Sequence, residues 1–239
     1  MASYKQIVLI DKPRGISSND ALGMMKRIIR SETRCRTRDL PKIGHGGTLD
    51  PLATGLLVVG ITRSGTRQLQ TAIEHDKTYE CAIDLLKSSK TGDLEDYTQE
   101  SFSGSPPDDN HVKSVLSSFA GTITQTPPIY SALKINGTKA CDLARAGEEI
   151  VMKSRTVTIY SIELIRYEFP ILEIRVSCSK GTYIRTLGMD IGNELGLYGT
   201  LLRLRRIRSG DYEIADAYAL DELTYDDLLE VSDTKSEED

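Results

Sequence analysis

Residues 6–10 form a short apolar run, which predicts a strand closed by the turn Asp11-Lys12-Pro13-Arg14-Gly15. Ser17 or Ser18 then caps a predicted helix whose apolar residues Leu22, Met25, Ile28 and Ile29 return at helical spacing. Leu56-Leu57-Val58-Val59 is apolar without alternation, the pattern of a strand buried on both faces. A short helix follows over 65–73, and the alternation of Tyr79, Cys81, Ile83 and Leu85 predicts another strand. The polar stretch 88–109, with Gly104 and Pro106-Pro107, reads as a long loop. Val112, Val115, Leu116 and Phe119 mark a helix ending by Gly121. Residues 129–135 predict a strand entering an Asn136-Gly137 turn, and 140–146 a short helix closed by Gly147. Strands over 157–167 and 172–178 precede a helix over 183–195 that stops at Gly196. Helices and strands interleave irregularly, without an internal repeat or a clear linker. The expected class is therefore α+β, with a mixed, mostly antiparallel central sheet flanked by helices.

Composition narrows the setting. The 239 residues suffice for a core without staples. Four scattered cysteines form no C-x-x-C pair, which argues against a zinc site or a disulfide framework and for a reducing, cytoplasmic location. No apolar stretch reaches membrane-spanning length, and the N-terminus lacks a signal-peptide pattern. The net charge of −5 hides an asymmetry, because residues 211–239 hold twelve acids against the single base Lys235. Residues 1–210 thus carry +6, concentrated in the segments 27–42 and 203–208. Either segment alone is an ordinary solvated face; a basic body with two such segments points to a polyanion. The last residues, 232–239, read as disordered.

The densest chemistry lies in Gly44-His-Gly-Gly-Thr-Leu-Asp-Pro-Leu-Ala-Thr-Gly55. Glycines permit close approach of another molecule, and Pro51 biases Asp50 towards extended backbone on a loop. The glycine order matches neither a dinucleotide fingerprint nor a P-loop. A G-x-S-x-G elbow and a deaminase zinc signature are both absent. The three histidines, His45, His75 and His111, are too scattered for a metal cage. Asp50 is left as a lone carboxylate working without metal or organic cofactor. A ligand-covered aspartate stays ionised when a cation faces it, and Arg185 in Ser179-Lys-Gly-Thr-Tyr-Ile-Arg185 is the candidate. Singly, each of these residues has a plainer reading: Arg185 as a structural ion pair, Tyr79 and Tyr183 as core aromatics, Asp93 as a turn residue.

Together they resemble the TruB family of tRNA pseudouridine synthases, from about Ile7 to Arg208. Asp11-Lys12-Pro13 with Gly15-Ile16-Ser17-Ser18 is similar to its opening motif, and the Gly44 segment to its catalytic motif, whose aspartate falls on Asp50. Asp76-Lys-Thr-Tyr79, Thr91-Gly-Asp93, Pro128-Ile-Tyr-Ser-Ala-Leu-Lys134 and Leu202-Arg-Leu-Arg-Arg206 match further signatures in order. The stretch Ala140-Cys-Asp-Leu-Ala-Arg145 departs from the family's usual Tyr-Glu-Tyr-Ala-Arg.

The resemblance implies a pseudouridine synthase fold and a cofactor-free isomerase that turns uridine 55 of the tRNA T-loop into pseudouridine. Asp50 would be nucleophile or base, Arg185 its ionic partner and His45 the wedge in the vacated stack. Tyr79 would contact the flipped base, while the Tyr183 backbone and Leu204 wall the pocket. Residues 1–210 would form the catalytic domain and 211–239 a short acidic segment, with no room for a full C-terminal RNA-binding domain. The implied partner is the tRNA T-arm, bound by a monomer without a membrane. Rival readings are a noncatalytic RNA-folding protein, a glycosidase, which normally needs two paired acids, and a synthase for another RNA.

Overall fold

The first strand and its neighbours form because their apolar residues have two covered faces to fill. In a computed structural model, which describes residues 3–131, 133–135, 137–148 and 150–230, the chain begins with β1 (Ile7–Lys12), α1 (Ser18–Thr33), β2 (Ile43–His45), β3 (Thr54–Ile61) and α2 (Thr62–Glu74). It continues through β4 (Lys77–Asp84), β5 (Lys87–Ser89), β6 (Tyr97–Gln99), α3 (Asp109–Ser118) and β7 (Gly121–Gln125). Next come β8 (Lys134–Ile135), β9 (Thr138–Lys139), α4 (Ala140–Arg145), β10 (Arg155–Glu168) and β11 (Ile171–Cys178). The described chain closes with α5 (Ile184–Glu194), β12 (Thr200–Ser209), β13 (Tyr212–Glu213) and β14 (Tyr218–Ala219). The expected acidic tail over 232–239 lies outside the described residues.

Two units emerge from this order. The first comprises Met1–Pro51, Gly55–Glu74 and Tyr212–Asp239; the second comprises Leu52–Thr54 and His75–Asp211.

In the first unit β1 runs antiparallel to β3, from Ile7 opposite Gly60 to Lys12 opposite Gly55, and β2 pairs with β3 antiparallel. β14 adds to β1 in parallel. Leu56, Leu57, Val58, Val59 and Ile61 are all buried, so β3 is covered on both faces as its unbroken apolar run predicts. Leu56 and Val58 pack with Leu69 and Ala72 of α2. The leucines and the valine each contribute roughly 1.5–3 kcal/mol by leaving water. Ser17 caps α1, accepting from the Asp20 N–H, while Asp20 returns a carboxylate to the Ser17 N–H. Residues 212–230 of the acidic segment are part of this unit: Leu220, Leu223 and Leu228 are buried, and Lys5 donates its N–H to the Leu228 carbonyl at 2.9 Å.

The second unit is an antiparallel sheet in the order β12-β4-β11-β10-β7. One face packs Cys81, Ile83, Ile174, Val176 and Leu201 against α3 and α5 through Val112, Leu116, Leu187 and Ile191. Alternation puts the intervening residues on the other face, where Arg175 pairs with Glu80 at 2.8 Å and Arg203 with Glu173 at 3.1 Å. β4 and β11 thus follow the alternation of their sequences.

Several local expectations change. Most of 129–135 is not strand: the Ser131 N–H turns back to the Ile129 carbonyl at 2.9 Å, using a donor that a ladder would need. Only Lys134–Ile135 pairs, with Thr138–Lys139, and Gly137 takes φ +90° between them; Asn136 lies outside the described residues. The long loop over 88–109 contains the β5–β6 hairpin. The second basic segment is the strand β12, and it is not a uniformly charged face, because Arg206 is 1% exposed. Among the described residues no helix is long and apolar enough to cross a membrane.

Candidate active site

The loop carrying Asp50 is held by the chain's first turn, all within the first unit. Gly15, at φ +92°, donates its N–H to the Pro51 carbonyl at 2.8 Å. The buried Ser18 hydroxyl accepts from the Leu49 N–H at 2.8 Å and donates to the Leu49 carbonyl at 3.0 Å. The residues on both sides of Asp50 are therefore anchored. Lys12, fully buried, donates to the carbonyls of Pro13 and Ile16, each at 2.8 Å, which tightens the turn bearing Gly15. The first turn is thus a brace for the loop that carries Asp50. Of the two candidate capping serines, Ser17 caps and Ser18 points inward.

Asp50 itself is half-buried on irregular backbone, as Pro51 predicts. His45 ends β2, half-buried. The glycines beside it have separate reasons: a Cβ at Gly46 would stand 3.0 Å from that of Ala72, and Gly47 takes φ +96°.

Tyr79, Tyr183, Arg185 and Leu204 belong to the second unit. Tyr79 lies on β4 and Leu204 on β12, where it faces Cys81; both pack partly buried against the core. Tyr183 is the N-cap residue of α5, with no side-chain cap of its own, so Arg185 sits in the helix's first turn. A cation there opposes the helix dipole and needs outside partners. It has them: Nη1 donates to the Thr91 carbonyl at 2.8 Å, Nη2 to the Tyr130 carbonyl at 2.9 Å, and Nε lies 3.9 Å from the Asp93 carboxylate. Arg185 is 5% exposed. Thr91-Gly92-Asp93 fits against its stem so closely that a Cβ on Gly92 would meet the Arg185 Cβ at 2.9 Å. Asp93 is oriented in turn by the Thr91 hydroxyl at 2.7 Å and the Glu95 N–H at 3.0 Å. The plainer reading of Arg185 as a structural ion pair describes what Asp93 makes with it.

Lys77, two residues before Tyr79, is buried; burial first, then the Arg206 guanidinium, lower its amine to about 8. Burial pushes the Cys178 thiol up to about 11, so it carries no thiolate chemistry near neutrality. Among the described residues no group of three or more His, Cys, Asp or Glu is placed to hold a metal ion.

Sequence reasoning missed four contributors: Ser18 as anchor of Leu49, Asp93 as partner of Arg185, and Gln125 and Arg155 beside Tyr183. Asp93 left a signal, the Thr-Gly-Asp pattern, and so did Ser18, in the segment Gly15-Ile-Ser-Ser18.

Residues 33–184 match the model of the TruB family pseudouridylate synthase N-terminal domain. A protein named tRNA pseudouridine synthase B from Francisella tularensis subsp. tularensis is 39% identical over 91% of this chain and 69% of its own. One of the same name from Aromatoleum aromaticum is 41% identical over 90% of this chain and 66% of its own. Among solved structures, a Cbf5-Nop10-Gar1 complex aligns with TM-score 0.64 at 30% identity over 87% of this chain. An H/ACA RNP bound to a substrate RNA containing 2'-deoxyuridine aligns with TM-score 0.65 at 26% identity over 91%. The chain spans about half the length of these two solved chains, 49% and 51%. With the family model matched over most of its length and a relative 39% identical along 91% of it, the chain belongs to the TruB family of pseudouridylate synthases.

Proposed function

We propose that this protein is a tRNA pseudouridine synthase acting on the uridine at position 55 of the T-loop, with Asp50 as its catalytic carboxylate. The observation that carries the reading is the relation to proteins named tRNA pseudouridine synthase B along nine-tenths of the chain, with Asp50 in a segment close to the family's catalytic motif. The bracing of Leu49 and Pro51 supports it, because a reacting carboxylate needs a fixed backbone. So does the burial of Arg185 among backbone carbonyls and Asp93, which pre-sets a guanidinium without the cost of ordering it during the reaction.

The reaction breaks the bond from ribose C1′ to uracil N1 and forms one from C1′ to C5. The proton on C5 is lost and N1 gains one, so no atom is added. Asp50 acts on the sugar, as a nucleophile at C1′ or as a base at C2′, and either role requires an ionised carboxylate. The target must first leave its stack, at a cost of a few kcal/mol. His45 takes the vacated position, Tyr79 stacks on the everted base, and Leu204 with the Tyr183 backbone walls a slot that retains free uracil. The T-arm is the part of the RNA recognised, and the protein works as a monomer without a cofactor.

A T-arm transcript incubated with wild-type protein and with Asp50→Asn, followed by chemical mapping of pseudouridine, tests the reading. Product at the T-loop uridine with the wild type alone is expected. Product that persists with Asp50→Asn rejects the nucleophile, and product elsewhere rejects the target. Because the solved relatives include an RNP bound to substrate RNA, the assay contains no second RNA; modification that appears only when another RNA is added would favour a guided enzyme.

A further inference from the structure

We infer that Gln125 and Arg155 are positioning residues that set the orientation of Arg185 by holding Tyr183, an inference that rests on the functional reading above. β7 ends at Gln125 and β10 starts at Arg155, and these two are register partners, so residues 126–154 leave and return through one neck. The Thr126 and Ser154 hydroxyls pair across it at 2.8 Å.

Gln125 is 1% exposed and shares a face of β7 with Ile123, which packs against the core. Its amide matches the Tyr183 backbone: Oε1 accepts from the Tyr183 N–H at 3.1 Å, and Nε2 donates to the Tyr183 carbonyl at 3.3 Å. Tyr183 begins α5 without a side-chain cap, so a glutamine from another strand does the capping. Arg155 holds the same residue from the ring side. Its guanidinium lies 4.8 Å from the Tyr183 ring centroid and also donates to the Gly181 carbonyl.

Arg185 follows Tyr183 by two residues, and the first turn of a helix is a poor place for a cation. Its direction is set by where α5 starts. The neck fixes that start. Two further bonds run the same way: the Arg185 Nη2 donates to Tyr130, four residues beyond Thr126, and Thr186 donates to the Thr126 carbonyl at 3.5 Å. Neither Gln125 nor Arg155 need touch the substrate.

Gln125→Leu and Arg155→Ala test this with three readouts on the full chain: single-turnover rate on a T-arm transcript, dissociation constant for that transcript, and hydrogen exchange over 181–187 without RNA. Both variants should lose about tenfold or more in rate while binding changes by less than about twofold. Exchange over 181–187 should quicken, and Arg155→Lys should recover part of the rate. Rates within about twofold of wild type in both variants would overturn the inference, as would rate losses matched by equal losses of binding. Should Gln125→Leu not fold, Gln125→Glu keeps the size and the acceptor but sets a carboxylate oxygen against the Tyr183 carbonyl, and the same loss is expected. Exchange does not depend on turnover. An inactive wild type would therefore count against the functional reading, whereas unchanged exchange in the variants would count against the neck.

Discussion

A single hydroxyl can satisfy two backbone groups, and Ser18 does so for both the N–H and the carbonyl of Leu49. Ser18→Ala would leave those groups buried without that partner, a loss of about 2 kcal/mol. Thermal melts should show the drop, and turnover should fall further than RNA binding, since the residue next to Asp50 loosens. A variant as stable and as active as wild type would remove Ser18 from the brace. Periodicity named Ser17 and Ser18 as equal candidates for the cap, because both precede the same apolar stripe. Which hydroxyl faces Leu49, thirty-one residues away, depends on how α1 and the Asp50 loop meet. Gln125 poses the same difficulty. A buried polar residue whose partner is distant in sequence looks like any surface residue in a one-dimensional reading.

At the scale of elements, the passage from α5 to β12 is made by backbone lying on backbone. A Cβ on Gly192 would stand 1.8 Å from the Tyr198 carbonyl oxygen, and one on Gly199 1.9 Å from that of Gly188. No rotamer change relieves such a contact, so Gly192→Ala should cost about 3 kcal/mol or more. Gly196 supplies the control: its φ of +70° strains an alanine, but nothing lies within 4 Å, and the loss should be nearer about 1 kcal/mol. Urea unfolding of the two variants checks the order, and a reversed order would refute the packing argument. β12 itself escaped prediction for a definite reason. Its pairing with β4 shifts register between Leu201 and Arg203 and again between Arg206 and Arg208, so period-two alternation never runs long enough to register. The alternation of β4 and β11, with no register shift between those two strands, was plain in the chain.

For the molecule as a whole, charge and chain order matter most. The exposed arginines 34, 36 and 38 carry much of the first basic segment, and only a weak 3.8 Å pair links Arg38 to Asp39. If they meet phosphates, replacing all three with glutamine should weaken RNA binding evenly across sequences. It should also flatten the plot of log affinity against log salt by about 2. Binding measured across a salt series decides this, and an unchanged slope would place the contacts elsewhere.

Most strand and helix types, the α+β class and the irregular backbone at Asp50 could be read directly, because they rest on neighbours in sequence: side-chain period, capping residues, a proline after an aspartate. The family followed from motifs of the same local kind. Other features needed the folded chain. Residues 212–230 complete the unit that residues 3–12 begin, Asp93 holds Arg185, and a glutamine on a strand meets the start of a distant helix. These are contacts between residues tens to hundreds of positions apart, whose hydrogen bonds and burial exist only once the intervening chain has folded.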